Sequence, residues 1–151
     1  MFKRFFLFFS FVFLLFPSIV SAGYHERITS PFGWRIHPVT HEWKFHSGTD
    51  FGYDYGTPIY SLKRGVVVYA AEYGGYGICI IVQHDNGDRV LYGHCSALAA
   101  GYGQEVEQGE VIAYVGSTGI STGPHLHLEI HRDGYYVDPI DYLDNFADLD
   151  K

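Results

Sequence analysis

Gly116-Ser-Thr-Gly-Ile-Ser-Thr-Gly-Pro-His125-Leu-His127-Leu-Glu-Ile130 sits near the C-terminal end of the chain. Its second half alternates Leu126, Leu128 and Ile130 with polar residues, the period of a half-buried β-strand. Its first half is Gly-rich and ends in Gly123-Pro124, a loop that delivers the chain into that strand. Residues i and i+2 of a strand point to one face, about 6.6 Å apart. His125 and His127 therefore share the polar face. Either both reach a single metal centre, or one binds metal while the other works beside it.

The same grammar extends outward in both directions. Pro58-Ile-Tyr-Ser61, Gly65-Val-Val-Val-Tyr-Ala-Ala71, Ile78-Cys-Ile-Ile-Val-Gln83 and Arg89-Val-Leu-Tyr-Gly-His94 read as strands upstream. Val106–Val115 is a short turn into another. Downstream, His125–Arg132 turns at Asp133-Gly134 into Tyr135-Tyr-Val137. Residues 24–35 look turn-like, 37–45 look like a surface loop, and 46–57 are punctuated by Gly and Pro. No apolar pattern of helical period runs longer than about ten residues. Strands with turn signals every 8–12 residues predict an all-β domain, barrel-like or a sandwich. Asp138-Pro139 supplies an N-cap and a first-turn proline for a short C-terminal helical turn. Asn86-Gly87 marks a hairpin. A two-residue turn there would place Cys79 opposite His94; a three-residue turn would place it opposite Cys95. A Cys79–Cys95 disulfide hangs on that register. At the end of that hairpin strand, Tyr92 and His94 share a face.

At 151 residues the chain is long enough for one domain with a sizeable core. Met1-Phe-Lys3-Arg4 is a short basic start, Phe5 to Phe16 is an apolar run with one Ser, and Pro17 breaks it. Val20-Ser21-Ala22 offers residues a signal peptidase reads. Residues 1–22 are expected to be a secretory signal peptide, with an uncleaved anchor as the alternative, and 23–151 a single domain. Without Lys3 and Arg4, eight Lys and Arg face seventeen Asp and Glu, about −9 with neutral His. That acidity argues against nucleic acid or anionic lipid as partners. Export permits disulfides, but neither cysteine sits in a CxxC pair, so no structural zinc ribbon is on offer.

Nine histidines invite a metal reading. His46 and Asp50 are spaced His-x-x-x-Asp. Along one extended strand their Cα atoms would lie about 13 Å apart, too far for a shared ion. The spacing works only if the chain bends at Ser47-Gly48. Two histidines and one aspartate are ligand types that Zn²⁺ takes in an open site, with a fourth position left for water. Two further imidazoles beside such a site give the composition of a hydrolase: metal to activate water and polarise a carbonyl, imidazole to move protons. HExxH is absent, which excludes a helix-borne zincin site. His25, His37, His41, His84 and His131 are assigned to surface or structure.

Ile28-Thr-Ser-Pro-Phe-Gly-Trp-Arg35, His46-Ser-Gly-Thr-Asp50, Tyr92-Gly-His94 and Gly116-Ser-Thr-Gly…Ser121-Thr-Gly-Pro-His-Leu-His127 together resemble the LytM/lysostaphin-type zinc metallopeptidases. The resemblance runs from about Ile28 to Asp141. It implies one Zn²⁺ per chain, held by His46, Asp50 and His127, with His94 and His125 as catalytic imidazoles. It implies a mostly antiparallel β-sheet with a substrate groove. The activity implied is hydrolysis of peptidoglycan peptides, at pentaglycine bridges or at direct cross-links. Some members of that family have lost ligands and activate other wall hydrolases instead; all five motif residues are present here. Cys95 departs from the pattern, where an aliphatic residue is usual. The expected protein is a monomeric, exported wall hydrolase of the periplasm or cell exterior, without a membrane anchor once cleaved.

Overall fold

The structure, a computed structural model, describes residues 23–37 and 40–147. The expected signal peptide lies outside the described residues. From the N-terminal side the strands are β1 (Ile28–Ser30), β2 (Gly33–Ile36), β3 (Trp43–His46), β4 (Thr49–Gly52), β5 (Pro58–Tyr60), β6 (Gly65–Glu72) and β7 (Ile78–His84). There follow β8 (Arg89–Leu98), β9 (Glu105–Val106), β10 (Val111–Val115), β11 (His125–Arg132), β12 (Tyr135–Val137) and the helix α1 (Pro139–Ala147). This is the all-β domain that the strand and turn pattern predicts, with the mostly antiparallel sheet that the family resemblance implies.

Among the described residues, the main sheet is open and runs β1-β4-β11-β8-β7-β6-β9. β12 adds to β11, and β10 joins β5 to the far half of β8. β2 and β3 form a separate two-stranded ribbon. The alternation of β11 does what its period demands. Leu128 and Ile130 enter the core with Val67, Ile80, Val82 and Val90, while His125, His127, Glu129 and His131 take the other face. Each fully buried aliphatic side chain contributes roughly 1.5–3 kcal/mol, so a one-residue slip of β11 would expose the core set and bury the histidines. α1 closes the apolar side with Tyr142 and Leu143. Asp138 caps it, its Oδ1 accepting from the Ile140 amide at 2.9 Å. Among the described residues, no helix is long and apolar enough to cross a membrane.

Four local readings are corrected. Residues 43–46 are strand rather than loop, paired with β2 in the register Gly33↔His46, Trp34↔Phe45, Arg35↔Lys44 and Ile36↔Trp43. Their alternation, Gly33-Trp34-Arg35-Ile36 and Trp43-Lys44-Phe45-His46, spans only four residues per strand, and the apolar face it marks is the exposed one: Trp34 is 63% and Trp43 67% exposed. Residues 28–30 and 33–36, expected to be turn-like, and residues 49–52 are also strand.

The fourth correction concerns the hairpin. Gln83 opposes Arg89 and Ile80 opposes Tyr92, but Ile78 opposes Cys95. One residue of β7, Cys79, therefore faces two of β8, Gly93 and His94: a β-bulge. His94 adopts φ +59° there, a conformation rare for non-glycine residues. The bulge turns its ring to the polar face while Tyr92 stays in the core, 1% exposed, its hydroxyl accepting from the Leu62 amide at 3.0 Å. The two residues thus do not share a face. Cys79 and Cys95 are free, buried thiols.

Candidate metal centre and its groove

Three adjacent strands set the site. Asp50 on β4 lies opposite His127 on β11, and His127 lies opposite Gly93 on β8. His46 ends β3, the chain bends at Ser47-Gly48, and β4 begins at Thr49, so the bend falls where the His-x-x-x-Asp spacing requires it. Gly48 is needed there for space: a Cβ would run into the Leu128 carbonyl oxygen.

His46, Asp50 and His127 each turn one ligand atom inward, and these atoms lie within 4.8 Å of one another. His127 Nδ1 is 2.7 Å from Asp50 Oδ1; His46 Nε2 is 3.3 Å from the same oxygen and 3.2 Å from His127 Nδ1. The outer nitrogens explain the orientation. His46 Nδ1 lies 2.9 Å from the Pro31 carbonyl. A carbonyl only accepts, so that nitrogen carries the proton and Nε2 is left as a lone pair. His127 Nε2 donates likewise to Glu129 Oε1 at 3.0 Å. Two inward lone pairs and a carboxylate then crowd one point. Without a cation, a proton must sit between them. Burial opposes charge on His127, yet its hydrogen bonds to Asp50 and Glu129 hold its pKa up at about 9. Burial likewise raises Asp50, but hydrogen bonds from His127 and His46 outweigh it and hold the carboxyl well below its usual range. A buried donor set of this kind fits a divalent metal of the zinc type.

The other two motif histidines stand beside this set. The His94 and His125 rings are 4.6 Å apart, and His94 is 5.7 Å from His127. Each also has its Nδ1 tied to a carbonyl: His94 to Thr118 at 2.8 Å, His125 to Gly123 at 2.8 Å. Among the described residues neither Nε2 makes a hydrogen bond, and that of His125 lies 3.8 Å from Asp50 Oδ1. Burial pushes the His94 pKa down to about 4, against the pull of the Thr118 carbonyl, so its ring is neutral at neutral pH. The Gly-rich loop before β11 is itself tied to the sheet. Thr118 Oγ1 donates to the Cys95 carbonyl at 2.8 Å and accepts from the Ile78 amide at 3.0 Å.

All five residues line one groove of about 290 Å³, together with Arg35, Lys44, Tyr76 and the loop around Ser121. His37 lines it too, while Tyr92 is absent from it. Glu129 was not singled out from the sequence. Its carboxylate is 1% exposed, accepts from Ser47 and from Tyr76 at 2.8 Å, and is paired with His127 and His131. The available signal was an acidic residue two positions after His127, on the histidine face of an otherwise apolar strand. Tyr76, inside a Tyr/Gly turn, gave no such signal.

Peptidase family M23 matches residues 44–139. The DD-carboxypeptidase/endopeptidase Mpg of Neisseria meningitidis is 46% identical over 116 residues, covering 77% of this chain and 27% of that protein. The murein hydrolase activator EnvC of Escherichia coli is 37% identical over 101 residues, covering 67% of this chain and 23% of that protein. The chain thus spans about a quarter of the length of these curated relatives. Among solved structures, the catalytic domain of the antimicrobial peptidase lysostaphin from Staphylococcus simulans superposes with a TM-score of 0.70 at 30% identity, over 76% of this chain and 90% of that one. A zinc-containing peptidase from Vibrio cholerae gives 0.69 at 37% identity, over 74% of this chain and 35% of that one.

Proposed function

The chain belongs to peptidase family M23, and from that premise we propose that it is a zinc-dependent endopeptidase acting on the peptide cross-links of peptidoglycan. The observation that carries the reading is the convergence of His46, Asp50 and His127 on one point, with two further imidazoles over the same groove. His46, Asp50 and His127 would hold the metal, one per chain. When bound, zinc supplies Lewis acidity toward a carbonyl and lowers the pKa of a water.

The chain's own groups do the rest. His94 and His125 are fixed by the Thr118 and Gly123 carbonyls, so their Nε2 atoms face the groove. A neutral ring there takes a proton from attacking water. A charged ring there donates to the oxyanion that develops on the scissile carbonyl and then passes its proton to the leaving amine. Export belongs to the same proposal: the protein would act in the periplasm or cell wall as a mature chain beginning at Gly23.

The test is digestion of purified peptidoglycan by the mature protein, with and without a chelator, reading new amine ends and muropeptide masses. Chelator-sensitive amine release is expected. The similarity to EnvC favours a second reading, a non-catalytic groove that activates other wall hydrolases. Absence of new amine ends with zinc supplied would favour that one.

A further inference from the structure

The whole chain is acidic, with a formal charge of −7, yet the groove is not. Asp50 is the one carboxylate among its lining residues, against Arg35 and Lys44. These two cations are cross-strand partners on the ribbon, on the face that also carries His46. The Arg35 side chain is only 20% exposed, and its nearest anion is Asp50 Oδ2, 4.0 Å from Nη2. That is beyond hydrogen-bond reach. Arg35 Nε is buried with no hydrogen-bond partner. Among the described residues, Lys44 takes part in no ion pair. A half-buried guanidinium that lines the groove without a hydrogen-bonded anion, beside an exposed ammonium without an ion pair, is poised for an anion that enters the groove.

We propose that Arg35 and Lys44 form an anion subsite that selects peptides bearing a free carboxylate close to the scissile bond, over uncharged bridges such as oligoglycine. The inference rests on the peptidase reading for where the scissile bond lies. The carboxylate accepts from the Arg35 guanidinium and pairs with the Lys44 ammonium across the ribbon. That places a substrate anion at one end of the groove and the scissile carbonyl near His94 and His125. A cross-linked peptide can offer such a group on the residue that supplies the scissile nitrogen, or at its chain end.

The test uses a cross-linked muropeptide dimer and two derivatives, each with one of these carboxylates converted to the carboxamide. Binding to the zinc-loaded wild-type protein and to R35Q, R35K and K44Q is measured by titration calorimetry, and cleavage is followed separately. Charge-assisted hydrogen bonds contribute about 1.5–3 kcal/mol each. Wild type is therefore expected to bind the free acid at least about tenfold more tightly than one of the two amides; which amide suffers identifies the source. R35Q and K44Q should lose that preference, and R35K should recover part of it, with zinc content unchanged. Equal binding of acid and both amides by wild type overturns the subsite, as does a preference that survives in R35Q and K44Q, or no binding at all. If R35Q instead loses zinc and weakens all three peptides alike, Arg35 serves only Asp50 and the subsite is again overturned. A carboxylate preference in binding without cleavage would sink the peptidase reading and leave the subsite standing.

Discussion

Glu129 shows how much of this site is decided by residues that never meet a substrate. Its carboxylate fixes His127 by accepting from Nε2 at 3.0 Å, which turns Nδ1 toward the proposed ligand set. It is in turn held by Ser47 and Tyr76. Outer partners of this kind typically change metal affinity by 10–100-fold. Glu129→Gln is expected to weaken zinc binding by about that factor in a chelator competition, while the denaturation midpoint of the metal-free protein moves little. His94→Ala and His125→Ala make the opposite pattern. Turnover should fall by about 10²-fold or more, with bound zinc staying near one per chain by elemental analysis. Loss of zinc in either variant would show that the ligands are misassigned.

Between elements, the turn joining β3 to β4 is the tightest fit. Gly48 lies between two proposed ligands and against the β11 backbone. Gly48→Ala should push that turn away from β11, costing about 1–3 kcal/mol of stability and lowering zinc affinity in the same protein. Both are read by urea titration with and without metal. A second tie pins the β7–β8 turn to the end of β11. Arg132 Nε and Nη2 each donate to Asp88 at 2.9 Å, and this pairing first of all holds the Asp88 pKa down at about 2, against 3.8 for a free side chain. The folded pKa is depressed, so the unfolded chain takes the proton first as pH falls. The stabilisation is therefore complete above about pH 4 and is lost as pH drops through 2. With Arg132 half exposed and screened by water, it amounts to about 1–2 kcal/mol. Asp88→Asn should show that deficit in urea midpoints at pH 7, and roughly half of it at pH 3. A gap that does not shrink would mean the pair contributes no linked stability.

Across the whole molecule, the groove joins two bodies: the ribbon β2–β3, which supplies His46, Arg35 and Lys44, and the open sheet, which supplies the rest. A metal shared between them should stabilise both together. Free zinc at 100 times its Kd adds about 2.7 kcal/mol, which for a domain of this size raises Tm by about 10 °C. His127→Ala should abolish that rise in a thermal scan; an undiminished rise in the variant would place the ion elsewhere.

Strand content was legible from the residues alone, because a period of two marks β11 and its neighbours wherever one face is buried. Also legible were the histidines and the aspartate to watch, and the bend at Ser47-Gly48, because His-x-x-x-Asp cannot close on one ion along a straight strand. Other features emerge only once the strands are docked. β2 and β3 were missed as strands because four residues each carry too little alternation to stand out from the turn residues around them. The bulge at His94 was illegible because a register shift depends on both partners of a pairing, here β7 and β8, and one strand alone does not reveal it. Glu129, Tyr76 and Arg35 had no legible role for a similar reason. Each meets a partner from another part of the fold, Glu129 with Ser47, Tyr76 with Glu129 and Arg35 with Asp50, and pairwise geometry of that kind is settled only when the strands dock. Ser47 and Glu129, which meet there, stand 82 positions apart in the chain.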